Sequence, residues 1–375
     1  MKSRSMNRRR SVSSLSWVAA FVAALLGPAA ARAQSSDAAS VKKDVFPPAP
    51  LRDWAAMRLQ VERGLRFLES RQSQNGAIGS SYQVAVTSLA GLAALGAGHQ
   101  PGADKELGKL LEKAFQYLNS SARPVGSGVF ITEGDESKSR MHGHCYAVLF
   151  LCELYGSLPG RDEEVANLIK KAVTVIERSQ SIEGGWYYLP DGSDPNLDEA
   201  SVTVCALQAL RAAHNVGILV DGRRIDRARA YVRHCQMADG SFRYSLCRAV
   251  DGNQRTSFAL SAAAISTLNA AGVYRSPELQ KGLDYLHKEL DRARSPWNAA
   301  EAEHDFYANL YAAQAFYQEA GPLWESWYTK VREHLLKKQR SDGSWENRPY
   351  GDEYATAVAL LILEVPLGYL PIFQR

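Results

Sequence analysis

Apolar residues recur three and four positions apart along most of this chain, and two kinds of apolar stretch alternate. In the first kind only one face is apolar, as with Met57, Val61, Leu65 and Leu68, with Val165, Ile169, Val173 and Ile176, and with Leu279, Leu283, Leu286 and Leu290. The other faces of such stretches carry charge, as in Lys105, Glu106, Lys109, Glu112 and Lys113, so they predict amphipathic helices with one wet side. The second kind covers 84–95, 146–155, 202–213, 259–271, 307–317 and 354–365, and is apolar nearly all round and dense in Ala, Ser and Thr. A helix with no wet face must be surrounded by other helices. The two kinds alternate six times, and short connections make neighbours antiparallel.

A turn motif separates the wet helix from the dry one. Gln72, Gly76 and Ile78 share their spacing with Gln180, Gly184 and Trp186, with Gln236, Gly240 and Phe242, and with Gln339, Gly343 and Trp345. Degenerate copies fall at Gly128-Val129-Phe130 and at Pro296-Trp297, so aromatic-to-aromatic steps from Phe130 run 56, 56, 55 and 48 residues. Six units of this length imply a repeat architecture. The glycine is suited to the left-handed conformation that ends a helix, and the glutamine amide can serve backbone groups at the helix end. The last dry stretch, running into Leu367-Gly368-Tyr369-Leu370-Pro371, is as apolar as the middle ones, so the array is expected to close on itself. The fold class read from the chain is all-α: an (α/α)6 toroid of six helical hairpins occupying 53–375 as one domain.

Composition changes this picture mainly at the start of the chain. Lys2, Arg4, Arg8, Arg9, Arg10 and Arg32 are unbalanced by acid, and an apolar run from Trp17 leads to Ala31-Arg32-Ala33, which reads as a signal peptide over 1–33. Residues 34–52 read as a flexible tether. Export to the periplasm or the medium is expected, without a transmembrane anchor in the mature chain. Removing the leader's six positive charges turns the formal net charge of +4 into −2, so nucleic acid is not implied as a partner. Among the five cysteines, Cys145 and Cys152 lie too far apart on one helix to pair, whereas Cys235 and Cys247 flank one repeat turn and could form a disulfide.

The glutamine, glycine and aromatic turn resembles the repeat of the terpenoid cyclase and protein prenyltransferase superfamily, the prenyltransferase and squalene oxidase repeat, over essentially 55–370. That resemblance implies the same toroid and an apolar central cavity for a hydrophobic, isoprenoid-like molecule. Class II terpene cyclases carry an Asp-x-Asp-Asp motif whose middle aspartate protonates an alkene. At the matching place this chain reads Asn196-Leu197-Asp198-Glu199, which puts Asp198 in the general-acid position beside Glu199. The first and last positions depart from the motif. The Asp-x-Cys zinc pair of the prenyltransferases is absent, so no metal and no cofactor are assigned, although His142, His144, Cys145 and His304 are of the types that zinc accepts.

Every outer-to-inner connection opens at one end of such a barrel, so the long loops there should share a mouth with six inner-helix N-termini, a fringe of positive partial charge. Asp198 and Glu199 are the candidate catalytic residues. His142, His144, Arg255, His304, Asp305, Tyr307, Asp352 and Tyr354 are the candidate ligand-binding ones. For Asp305, Asp352 and Glu353 a helix-capping role competes. Aromatic residues on or beside inner helices, among them Tyr82, Tyr146, Phe150, Phe258, Tyr311 and Phe316, could line the cavity or pack between helices. Three functions fit: a binder or cyclase of hydrophobic isoprenoid-like molecules, a non-catalytic exported module for a surface partner, or a carbohydrate-active toroid using paired carboxylates.

Overall fold

The computed structural model describes residues 50–103, 106–134, 140–190, 194–299 and 304–374. The expected signal peptide, and the expected tether as far as residue 49, lie outside them. Twelve α-helices stand among the described residues. The outer ones are α1 (Pro50–Ser70), α3 (Leu107–Ser120), α5 (Asp162–Arg178), α7 (Gly222–Cys235), α9 (Pro277–Arg292) and α11 (Pro322–Lys338). The inner ones are α2 (Gln83–Gly96), α4 (Arg140–Leu154), α6 (Ala200–Asn215), α8 (Phe258–Ala270), α10 (Asp305–Glu319) and α12 (Asp352–Glu364). Each inner helix packs on the next around the ring, and α12 returns to α2, so the toroid closes. The dry helices are buried on nearly every side, as their composition requires: in α8, the twelve residues from Phe258 to Asn269 are all buried.

The repeat turn is the fastener. Gln180 donates its amide to the carbonyls of Gly184 (2.9 Å) and Arg224 (2.9 Å), the second in the first turn of the next outer helix. Gln72 and Gln236 do the same toward Leu110 and Glu278. Gln339 donates to Gly343 and to Gln60 on α1 (2.8 Å), joining the last unit to the first. The four glycines have φ between +93° and +100°, and a Cβ on any of them would come within 2.2–2.5 Å of a carbonyl oxygen of the neighbouring outer helix. Trp186 and Trp345 are fully buried and each donates its indole N–H to an outer-helix carbonyl, of Ile176 and Leu335. The backbone N–H after the turn is met by a hydroxyl from the inner helix: Thr87, Thr203, Ser261 or Thr356.

Two details depart from the helix-only pattern. The degenerate copy at Phe130 is an antiparallel hairpin of β1 (Ala122–Val125) and β2 (Gly128–Ile131), whose β-branched residues and Gly126 turn at φ +56° favour strands. Helix α4 is already formed at Arg140, six residues before its apolar run. The five cysteines are free thiols. Cys235 is buried beside Tyr231, and burial pushes its thiol up to about 12.

One buried acid lies far from the mouth. Glu364, at the end of α12, is 4 % exposed, neither carboxyl oxygen has a partner among the described residues, and burial raises its pKa well above the usual carboxylate range. The folded state therefore holds the proton that the unfolded chain releases above about 4.3, so this group makes folding less favourable as pH rises past that value. Glu364→Met is expected to stabilise the protein by roughly 1–3 kcal/mol at pH 8 and by less at pH 4. Urea unfolding at the two pH values checks this.

Candidate functional site

A cavity of about 210 Å³, open at its mouth, occupies the end of the ring where the inner helices begin. Its apolar wall comes from Ala85, Val86, Leu89, Ala259 and Leu260, and seven tyrosines complete it: Tyr82, Tyr146, Tyr188, Tyr244, Tyr307, Tyr350 and Tyr354. The rings form a collar. Tyr350 meets Tyr82, Tyr354 and His304 at centroid distances of 6.0, 5.4 and 6.4 Å, while His142 lies 5.8 Å from Tyr188. Tyr188 and Tyr244 join through their hydroxyls at 2.5 Å, and the Arg255 guanidinium lies 4.4 Å over the Tyr244 ring. Tyr82 holds its place at φ +50°, a conformation that costs a non-glycine residue about 1–2 kcal/mol and so marks the rim as a built feature.

The floor is a polar seam across the barrel axis. Tyr146 and Tyr311 share a hydroxyl hydrogen bond of 3.0 Å, and Cys205 Sγ lies 3.3 Å from the Tyr311 hydroxyl. The Tyr307 hydroxyl, above this seam, is buried without a partner among the described residues. Burial raises the phenols of Tyr146, Tyr307 and Tyr354 well beyond their ordinary range and that of Tyr244 to about 12, so all stay neutral at physiological pH.

One carboxylate lines this cavity among the described residues. Glu199 precedes α6 in extended backbone and caps it, accepting hydrogen bonds from the N–H groups of Ser201 and Val202 (2.9 Å each) and from the Ser201 hydroxyl. Ser201 Oγ is in turn 3.0 Å from His142 Nε2. A continuous line therefore runs Glu199, Ser201, His142. Burial raises Glu199 to about 7, opposed by its three donors and the charge of Arg255, and burial lowers His142 to about 4. A neutral imidazole and a carboxyl raised toward neutrality, joined through one hydroxyl, make this line able to carry a proton.

Of the ten residues singled out in the sequence, Glu199, His142, Arg255, His304, Tyr307 and Tyr354 line the cavity. The structure places Asp198, His144, Asp305 and Asp352 outside it. Asp198 and Glu199 are adjacent in extended backbone and so point to opposite sides. Asp198 is turned outward, wholly buried, with Oδ1 accepting from the hydroxyls of Tyr231 (2.8 Å) and Ser245 (2.7 Å) and from the Leu246 N–H (2.8 Å). His144 is two residues beyond His142 on α4, about 200° further round the helix. It faces α5, with Nδ1 accepting from the Ile131 N–H and Nε2 against the Ala172 carbonyl. Asp305 holds the Trp297 indole and the Phe306 N–H, and Asp352 holds Arg340 and the Asn347 N–H. Among the described residues no three metal-ligating side chains converge, since His142 and His144 point apart. Tyr188, Tyr244, Tyr350, Ser201 and Ser257 line the cavity without having been singled out. Position alone, just before an inner helix or in its first turn, was the signal that could have found the two serines.

The mostly helical fold and its aromatic cavity define an α/α toroid protein. No family profile and no curated protein sequence matches the chain. Among solved structures, a variant of the type II terpene cyclase MstE from Scytonema, in complex with geranylgeranyl dihydroxybenzoate, is similar at a TM-score of 0.56 and 11 % identity, over 86 % of this chain and 99 % of that one. A family 76 glycoside hydrolase (mannosidase) from Bacteroides thetaiotaomicron is similar at 0.59 and 10 %, over 84 % and 98 %. The family 76 α-1,6-mannanase of a Salegentibacter species gives 0.60 and 10 %, over 83 % and 99 %. At these identities the likeness is one of fold: the chain shares its toroid with type II terpene cyclases and family 76 mannanases.

Proposed function

We propose that this is an exported toroid protein that takes an isoprenoid-like hydrophobic molecule into its mouth cavity, with the polar end of that molecule beside Arg255, His142 and Glu199. The observation that carries the reading is the lining: seven tyrosines and an aliphatic wall enclose the space, and a single carboxylate enters it among the described residues. Glycosidic cleavage works through a pair of carboxyl groups flanking one bond, and the second acid of the local pair, Asp198, is turned away. Tyrosine faces suit both an apolar chain and a positive charge developing on it. The inner-helix N-termini and Arg255 favour a polar or anionic end at the mouth.

The test is to purify the mature protein from its host and identify co-purifying small molecules by mass spectrometry. An isoprenoid-like lipid at near one per chain is expected, and Ala85→Trp, which fills the cavity from α2, should lose it while melting within a few degrees of the parent. A protein that carries no lipid, and gains none from vesicles containing polyprenyl lipids, would overturn the reading.

A second, catalytic reading rests on the Glu199, Ser201, His142 line. If Glu199 protonates an alkene, turnover needs its acid form, so the rate should fall as pH rises through about 7. Glu199→Gln should then abolish product with the ligand still bound. Gas chromatography of extracts after incubation with geranylgeranyl and squalene-type substrates reads this directly, and unchanged product in Glu199→Gln removes Glu199 as the acid.

A further inference from the structure

The barrel axis holds a second chamber behind the floor. On α10, Tyr307 faces the mouth cavity, Tyr311 belongs to the floor and Gln314 lines the far space, seven residues or about 10 Å from Tyr307 along the helix. On α6 the same order runs Ser201, Cys205, Gln208. The far chamber holds about 60 Å³ within its walls and opens to solvent, and a segment that includes Pro371 and Ile372 forms part of its wall. Its chemistry is the reverse of the first: it is lined by carboxamides, with no carboxylate side chain in its lining.

Three of those amides are at least nine-tenths buried: Gln208 at 3 %, Gln314 at 7 % and Asn269 at 9 % exposed. Gln208 donates Nε2 to Gln314 Oε1 at 2.6 Å, which leaves Gln208 Oε1 as an acceptor and Gln314 Nε2 as a donor without partners among the described residues. The Asn269 carboxamide has none either. Arg211, the only cation in the lining, makes no ion pair there, and Tyr274 stands at the rim with half its surface exposed. The unmet donors and acceptors are not sealed off from solvent but open onto one space, where a polar molecule can reach them together.

We infer that this far chamber is a binding site for an acidic sugar, a hydroxyl-rich ring bearing one carboxylate. Neighbouring hydroxyls each donate and accept, matching the donor and acceptor left open on the Gln208 and Gln314 pair and the two ends of the Asn269 amide. The Arg211 guanidinium, unopposed by any acid in the lining, receives the carboxylate as a charge-assisted pair. The Tyr274 ring offers an apolar face at the opening for the C–H side of a sugar. The site shares no lining residue with the mouth cavity and does not depend on what that cavity holds.

The experiment titrates the purified full chain with D-glucuronate, D-galacturonate, D-glucose and acetate by calorimetry and saturation-transfer NMR. A uronate is expected to bind at about millimolar Kd or tighter, at least tenfold more tightly than glucose or acetate. Arg211→Gln should erase the preference for the acid over the neutral sugar. Tyr274→Ala, at an exposed position that leaves the fold intact, should weaken binding about threefold to tenfold, and Gln314→Leu should abolish it. Ala85→Trp in the mouth cavity should leave uronate binding unchanged. The inference fails if none of the sugars binds and the chamber holds only water, if acetate binds as well as uronate, or if Arg211→Gln binds the uronate with undiminished preference. It also fails if Ala85→Trp displaces the sugar.

Discussion

Asp198→Ala is expected to cost about 3–5 kcal/mol of folding stability, more than any change of a cavity-lining residue. The side chain is wholly buried, and its Oδ1 receives three donors at 2.7–2.8 Å: the Tyr231 hydroxyl from α7, and the Ser245 hydroxyl and Leu246 N–H from the loop before α8. Truncation strands two buried hydroxyls and a part-buried N–H at once, and each buried group left unsatisfied costs about 1–3 kcal/mol before relaxation. Asp198→Asn keeps an acceptor oxygen at nearly the same place and should lose only about 1–2 kcal/mol. Chemical denaturation gives both values. The functional side of the result is sharper still: folded Asp198→Asn should keep the cavity ligand and any turnover, because the side chain does not reach the cavity. An Asp198→Asn protein that folds like the parent yet loses conversion would return Asp198 to the role of general acid.

The second large effect belongs to the ring closure. Gly343 and Gly321 have nearly the same φ, +93° and +94°, a region that L side chains rarely adopt, so Gly→Ala strains the backbone at both, by about 1–2 kcal/mol. Their surroundings differ. A Cβ at Gly321 meets nothing within 4 Å, whereas at Gly343 it falls 2.3 Å from the Arg63 carbonyl oxygen and 2.7 Å from its carbon. Those are backbone atoms of α1, which cannot swing aside as a flexible side chain can. Gly343→Ala must therefore push the last turn away from the first outer helix and loosen the Gln339 to Gln60 and Arg63 to Arg340 bonds that close the toroid. A loss of about 4 kcal/mol or more is expected, against about 1–2 for Gly321→Ala. Limited proteolysis should then cut first within α1. Equal losses in the two variants would mean that this contact does not hold the ring shut.

Much of this architecture was legible because it rests on local rules. A one-faced apolar period, an all-round apolar period and a glycine between them specify wet helix, turn and dry helix without reference to anything distant. Repetition then forces the dry helices to bury one another. The terpenoid cyclase resemblance named the fold for the same reason, since the turn residues it rests on are the ones that fasten outer helices together. The chemistry of the mouth was legible only as a neighbourhood. His142, Glu199, Arg255, His304, Tyr307 and Tyr354 are in the cavity, yet nothing in their spacing separated them from His144, Asp198, Asp305 and Asp352.

That separation depends on angles. The rotation of α4 about its axis sets His142 inward and His144 outward, and placing Glu199 in extended backbone before α6 sends its neighbour Asp198 the other way. Each is a matter of one or two residues of register, below what an apolar period can resolve. The floor made by Tyr146, Tyr311 and Cys205, which divides the axis into an aromatic chamber and an amide-lined one, joins side chains up to 165 residues apart and has no local signature. By itself the sequence determined the helices, their order, their wet and dry faces and the closing of the ring, because those follow from burial along each segment. Only the tertiary structure decided which polar groups share a space, because that is set by helix rotation and end position, where a single residue turns a side chain from cavity to core.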